Sequence, residues 1–265
     1  MMRDLEQNPS MVKDLVPFVL GTMSAEQRLE MSYDVEDMFL WAAFEEKRLD
    51  LEEDLYKWND VVLGNCFTFN HMNNSIVYDL RSDGTTGGIE AAVKLNGDEY
   101  APWTETMALM VFVHSRDNGI FSESVRFNAL PGGKTSISVE ATRYERLGFP
   151  YGVCVENNEE VKNYYYEGNY TTEVCFSMRK NIATSEIQGC LSACYQDYAL
   201  ETCGCMDARY PMVGGVKSCG LSDRKCVESV AERGDPAKWT DYDCNCPLPC
   251  KNQVFSATWT EAPFV

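Results

Sequence analysis

Twelve cysteines dominate the reactive side chains of this 265-residue chain, and eleven of them fall between Cys154 and Cys250. Thiols at that density do one of two things: they pair as disulfides in an oxidising compartment, or they hold metal as thiolates. The spacings are C-x3-C for Cys190/Cys194, C-x-C for Cys203/Cys205 and Cys244/Cys246, and C-x3-C for Cys246/Cys250. Zinc modules more often use paired C-x2-C loops completed by histidine, whereas both histidines, His71 and His114, stand outside the cluster. Disulfides are the preferred reading, no metal or other cofactor is expected, and a reduced cytosolic zinc protein is the distant alternative. Sequons at Asn73 and Asn169 agree with a secretory route, each adding little alone.

Other chemistry fails on spacing. Pro131-Gly132-Gly133-Lys134-Thr135-Ser136 has the composition of a phosphate-binding loop, but Asn128 stands where its first glycine belongs. A strand pattern also follows where a helix N-terminus would have to meet the phosphates. There is no G-x-S-x-G or H-E-x-x-H, and cysteines this dense are oxidised rather than nucleophilic. Acid pairs such as Glu52/Glu53 and Glu159/Glu160 read as surface charge, since nothing marks a pocket that would raise one pKa. No catalytic residue is assigned, and the chain is read as a non-enzyme. The net charge of −18 argues against nucleic acid and anionic lipid headgroups as partners.

The elements that must position the cysteines follow from periodicity. Residues 1–60 carry fifteen acids against six bases and no cysteine. Ser24-Ala25-Glu26-Gln27 fits a capping box, and Val35, Met38, Phe39 and Ala42 follow one helix face. Leu51, Leu55 and Trp58 start a second helical stripe. From Val61 to about Tyr151 the texture changes to short strands. Met110 to Val113 suits a strand buried on both faces, Ser136 to Glu140 alternates, and Asp83-Gly84, Gly87-Gly88, Asn96-Gly97 and Pro131-Gly132-Gly133 mark turns. Val254 to Thr260 alternates as a last, half-buried strand, with Phe255, Ala257 and Trp259 facing one way. The longest apolar run, Leu15 to Met23, is too short to span a bilayer, contains Pro17 and makes a poor signal peptide.

An ordered set of strings carries a resemblance: Gly64-Asn65-Cys66-Phe67-Thr68-Phe69-Asn70, Asp98-Glu99-Tyr100, Val113-His114-Ser115, Pro150-Tyr151-Gly152-Val153-Cys154, Gly189-Cys190-Leu191-Ser192-Ala193-Cys194-Tyr195-Gln196, Cys203-Gly204-Cys205 and Cys244-Asn245-Cys246-Pro247-Leu248-Pro249-Cys250. From roughly Val35 to the C-terminus the chain resembles the extracellular region of the degenerin, epithelial sodium channel and acid-sensing ion channel family, in its degenerin branch. The resemblance implies an α+β fold: a β-sheet palm and β-ball core, a helical finger segment and a disulfide-stapled helical thumb. Residues 1–58 would be the acidic, helical distal finger, 59–152 the palm and β-ball sheet, 153–248 the cysteine-rich thumb and 249–265 a returning palm strand. It implies the pairs Cys154–Cys250, Cys190–Cys246, Cys194–Cys244, Cys203–Cys226 and Cys205–Cys219. Cys66 and Cys175 are left unpaired, or paired with a cysteine upstream of this chain.

Departures from the family pattern shape the expectation. A finger cysteine pair would fall at Ala42 and Leu49, both apolar here. Neither membrane helix is present, so the chain reads as an ectodomain fragment or an incomplete gene model. Excising Val174 to Gln188 gives the better family string YTTEGCLSAC and removes Cys175, which suggests a retained short intron against a genuine insertion. Gating candidates are Tyr151, matching an aromatic at the thumb base, and Glu228 with Glu232, one turn apart on a thumb helix. Tyr151 reads alternatively as a core residue beside a disulfide, and the glutamates as solvated charge. The expected function is that of a sodium-channel subunit ectodomain, in a homo- or hetero-trimer at the extracellular side of the plasma membrane. An extracellular ligand or matrix is a possible further partner. The rival is a secreted, pore-less binding or decoy protein on the same fold.

Overall fold

The computed structural model describes residues 10–82, 84, 87–101, 104, 106–120, 126–156, 188–233, 244 and 246–264. Helix α1 (Ser10–Leu20) absorbs most of the apolar run that is too short to span a bilayer. Its Leu15 and Phe18, three residues apart and so on one face, are buried, while Val19 between turns is exposed. No helix among the described residues is long and apolar enough to cross a membrane. Helix α2 (Ala25–Met31) begins at the expected capping box: Ser24 Oγ accepts from the Gln27 N–H at 3.2 Å and Gln27 Oε1 accepts from the Ser24 N–H at 3.0 Å.

The next two expected helices are each a single turn. Helix α3 (Val35–Met38) gives way to strand β1 (Phe39–Phe44), which turns into β2 (Lys47–Arg48). Helix α4 (Leu51–Asp54) gives way to strand β3 (Leu55–Asp60), which pairs over six residues with β4 (Gly64–Phe69). The helical reading of Phe39, Ala42, Leu55 and Trp58 is therefore corrected to strand. Its physical reason is non-local: β1 finds an antiparallel partner in β5 (Ile89–Val93), and such pairing overrides weak helical propensity. Acidic N-caps start each turn of helix, with Asp34 accepting from the Val35 N–H and Asp50 from those of Glu52 and Glu53.

Strands β6 (Leu109–Phe112) and β7 (Arg126–Ala129) form a second ribbon. The strand expected from Met110 is present, but it is not buried on both faces, because Met110 is 47% exposed. Gly132, at φ +83°, makes the expected turn into β8 (Gly133–Glu145). Strand β8 pairs with β9 (Lys251–Pro263) along thirteen residues, the longest ladder among the described residues. Trp259 is 55% exposed and packs against Phe127 of β7 with ring centres 5.6 Å apart.

The densest burial lies elsewhere. Helices α5 (Gln188–Cys203) and α6 (Arg224–Arg233) enclose one cluster of Tyr195, Ala199 and Val230, and a second joins Cys205, Cys219 and Val227 to Phe18 of α1. Gly21 makes that docking possible, since a Cβ there would sit 2.1 Å from the Ala208 Cβ.

Candidate functional site

The cysteines converge on α5. Cys190 and Cys194 share one face of its first half, and Cys203 closes its last turn. The structure contains the disulfides Cys154–Cys250, Cys190–Cys246, Cys194–Cys244, Cys203–Cys226 and Cys205–Cys219, with Cα separations of 4.9, 5.8, 6.0, 5.9 and 5.0 Å. From Cys190 to Cys203 the helix rises about 20 Å at 1.5 Å per residue, and it is stapled at both ends. One end is tied to the 244–250 segment that leads directly into β9, the other to α6. Main-chain bridges reinforce both ends: Val155 pairs with Pro249, and Met206 with Ser218. The Arg146 guanidinium donates to Pro249 O at 3.0 Å and Asn252 Oδ1 at 2.9 Å, clamping β8 to β9 beside Cys250.

A buried polar network behind the ladder is absent from the sequence-based candidates. Gln196, fully buried, donates to the carbonyls of Asp207, Tyr210 and Pro211 and accepts the Asp207 N–H at 2.8 Å. Asp207, 1% exposed, accepts from Tyr195 Oη at 2.9 Å and from both Nε and Nη2 of Arg209. Burial pulls the Arg209 guanidinium down, but the hydrogen-bonded Asp207 carboxylate outweighs it and holds the group more firmly protonated than usual. Burial, then the Asp207 charge, pushes the Tyr195 phenol up. Arg209 also lies over the Phe18 ring at 5.4 Å, so one guanidinium ties α1 to the disulfide loop. The Tyr195-Gln196 pair lies inside the quoted cysteine string, but nothing local joins it to Asp207.

The gating candidates separate. Tyr151 is 82% exposed on a turn closed by its N–H to Gly148 O, with Phe149 95% and Val153 87% exposed around it. It is not a core residue beside the Cys154–Cys250 bridge, because the turn directs it outward. Glu228 pairs with Arg224 one turn back on α6. Glu232 follows on the same helix, and its side chain lies outside the described residues, as do Asn169 and Cys175.

Asn73 is exposed on a turn that Arg116 holds by donating to the carbonyls of His71, Met72 and Asn74. Cys66 on β4 is a free thiol, and burial, with the Asp60 charge adding to it, pushes its pKa up to about 12. Ala42 and Leu49, where the family pattern would place a finger disulfide, are both buried and face each other across β1 and β2, the Leu49 N–H reaching Ala42 O at 3.0 Å. Among the described residues no cluster of His, Cys, Asp and Glu is arranged to hold a metal ion.

Comparison with known proteins places these features in a family context. Residues 8–265 match the amiloride-sensitive sodium channel family. The chain is 28% identical to degenerin mec-10 of Caenorhabditis elegans over 254 residues, covering 94% of this chain and 33% of that relative. It is 26% identical to the degenerin-like protein unc-105 of the same organism over 268 residues, covering 96% of this chain and 28% of the relative. It is 31% identical to the epithelial sodium channel subunit alpha of Rattus norvegicus over 166 residues, 62% of this chain and 22% of that subunit. The chain thus spans about a third of the length of the degenerins it matches.

Proposed function

The chain belongs to the amiloride-sensitive sodium channel family, a family of ion channels and not of enzymes, and from that membership we propose that it forms part of the extracellular region of a sodium-channel subunit. In this reading residues 153–248 are the thumb, 59–152 with 249–265 the palm and β-ball, and the acidic N-terminal part the finger. The subunit works in a trimer with like or related subunits on the extracellular side of the plasma membrane, and the sodium pathway is built from membrane helices outside this chain. Three of the five disulfides anchor α5 near both of its ends, and in this reading they make it a stiff lever between the 244–250 segment and α6.

One observation carries the reading: the outward turn bearing Phe149, Tyr151 and Val153 sits at the base of that lever, next to Cys154–Cys250. Large apolar side chains this exposed are suited to a contact with another segment, and a lever needs a contact at its base to deliver movement. The pairing of Glu228 with Arg224 supports a paired-charge role for Glu228 rather than a shared proton.

The test grafts residues 8–265 into a full-length degenerin in place of the matching region and records amiloride-sensitive sodium current in oocytes. Tyr151→Ala removes an exposed ring, so surface expression should hold while the current changes at least fivefold. An unchanged current at equal surface expression would remove Tyr151 from transmission. A graft that reaches the surface and never conducts would refute the channel reading itself.

A further inference from the structure

A cleft of about 400 Å³ separates the β3–β4 ribbon from the loop after Cys205, and its lining differs from the rest of this acidic chain. Its floor is aromatic. Tyr56 and His71 stack in parallel with ring centres 3.9 Å apart, and Trp58 lies beside them. The Trp58 indole N–H is already taken by Thr68 Oγ1 at 2.9 Å, so the cleft meets this side chain as a ring rather than as a donor. Tyr210 and Met212 on the disulfide loop supply the facing wall.

The positive charge open to a ligand in the cleft comes from one residue. Arg209 lines it too, but its guanidinium is neutralised by the bidentate pair with Asp207. Arg28 differs: Nε donates to Asn59 Oδ1 at 2.9 Å and Nη1 to Met23 O at 2.8 Å, both neutral oxygens. It makes no close ion pair with any described residue, and only Asp60 offsets its charge, at longer range, so the guanidinium is fixed in place with hydrogens on Nη2 to spare. Asp60, the only carboxylate among the lining residues, competes weakly for it. Its Oδ1 accepts the N–H groups of Val62 and Leu63, each at 2.8 Å, and burial raises its pKa. A half-buried cation held by neutral acceptors over an aromatic floor has the composition of a recognition site for a small organic anion.

We propose that this cleft binds an amphipathic organic monoanion, its carboxylate on Arg28 and its aromatic or aliphatic body on Trp58 and the Tyr56–His71 stack. A carboxylate matches the planar end of a guanidinium and leaves one net charge to balance, where a phosphate dianion would leave a surplus in a chain already at −18. The volume is at the small end for ligand pockets and admits one aromatic acid or the last residue of a peptide. These two sources present the same chemistry.

The experiment titrates the whole disulfide-bonded chain with indole-3-acetate and, separately, with neutral indole-3-acetamide, by calorimetry. The acid should bind with Kd on the order of 0.1 mM and at least tenfold more tightly than the amide. A tripeptide ending in Trp, with a free or an amidated C-terminus, identifies the source: preference for the free peptide over indole-3-acetate assigns the cleft to peptide termini. Arg28→Gln should abolish the preference for acid over amide in both pairs. Because Arg28 also holds Met23 and Asn59, Ile120→Trp provides a second variant that narrows the cleft without touching the guanidinium, and it should remove binding of acid and amide alike. Equal affinity for acid and amide, absence of binding by every probe, or a preference that survives Arg28→Gln would overturn the proposal.

Discussion

Helix α1 is held to the disulfide-bonded helices through Phe18, and its removal tests how the N-terminal part of the chain is built. The Phe18 ring is 3% exposed, packs against Cys205, Cys219 and Val227, and carries the Arg209 guanidinium over its face. Phe18→Ala deletes this contact and opens a cavity between a helix and a loop that the Cys205–Cys219 bridge keeps from collapsing. Truncations of buried Phe cost about 3–5 kcal/mol, and the rigid floor places this one in the upper half of that range. Loss of the cation–π contact contributes about 0.5–1 kcal/mol of it. With a urea m-value near 3 kcal/mol/M, the unfolding midpoint falls by about 1.3 to 1.7 M. Val19→Ala, on the exposed side of the same helix, changes the midpoint by less than about 0.2 M, since surface substitutions stay within roughly 0.5 kcal/mol. Hydrogen exchange supplies the local readout: amides of residues 12–20 lose protection in Phe18→Ala while those of α5 keep it behind three disulfides. If Phe18→Ala behaved like Val19→Ala in both measurements, α1 would not be docked and the argument from burial would fail.

Three further perturbations address groups whose state the surroundings set. In a Cys175→Ser background, Cys66 should react with a thiol reagent at pH 8 about a thousandfold more slowly in the native chain than in denaturant, because a pKa near 12 leaves that much less thiolate than an ordinary one near 9; equal rates would show the thiol is not buried. The raised Tyr195 pKa means that the unfolded chain loses this proton first, near pH 10, so its contribution to stability is intact below pH 10 and declines as pH rises above it. Tyr195→Phe should flatten that alkaline loss in urea midpoints measured from pH 8 to 11, and an unchanged slope would exclude Tyr195 as its source. Ala42→Cys with Leu49→Cys should close a disulfide across β1 and β2, seen as a mass two hydrogens lighter than the reduced form, and raise stability by about 2.5 kcal/mol from loop entropy; two persistent free thiols would contradict the register.

What could be read ahead of the structure depended on how local its cause was. The capping box at Ser24 and Gln27 is decided within four residues, and it is present as expected. Phe39 to Phe44 is not decided locally. Its apolar residues satisfy a helical period from Val35 onward and a strand equally well, and the choice rests on Ile89 to Val93, some fifty residues away. Leu55 to Asp60 also satisfies both periods, and its partner strand is near, beyond a short turn closed by the Asp60 carboxylate. Propensity and periodicity carry no information about such partners, so helix and strand were interchangeable in the sequence at these two places.

The candidate site divides along the same line. Cysteine count and spacing signal a cross-linked module by composition alone, but spacing leaves the connectivity open, and a particular pairing came only with the family resemblance. The network of Tyr195, Gln196, Asp207 and Arg209 has no sequence signature, since an eleven-residue gap separates acceptor from donor and the loop between them is shaped by Cys203 and Cys205. Tyr151 illustrates the remaining step. Beside a disulfide, an aromatic is as readily a core residue as a contact, and composition cannot choose. The turn from Gly148 to Gly152 chooses, because it carries the ring away from the Cys154–Cys250 bridge and leaves it 82% exposed. An exposed Tyr contributes little to the stability of this chain, so a changed current in Tyr151→Ala at equal surface expression would speak for the proposed contact rather than for misfolding, a distinction that a buried Tyr at this position could not have allowed.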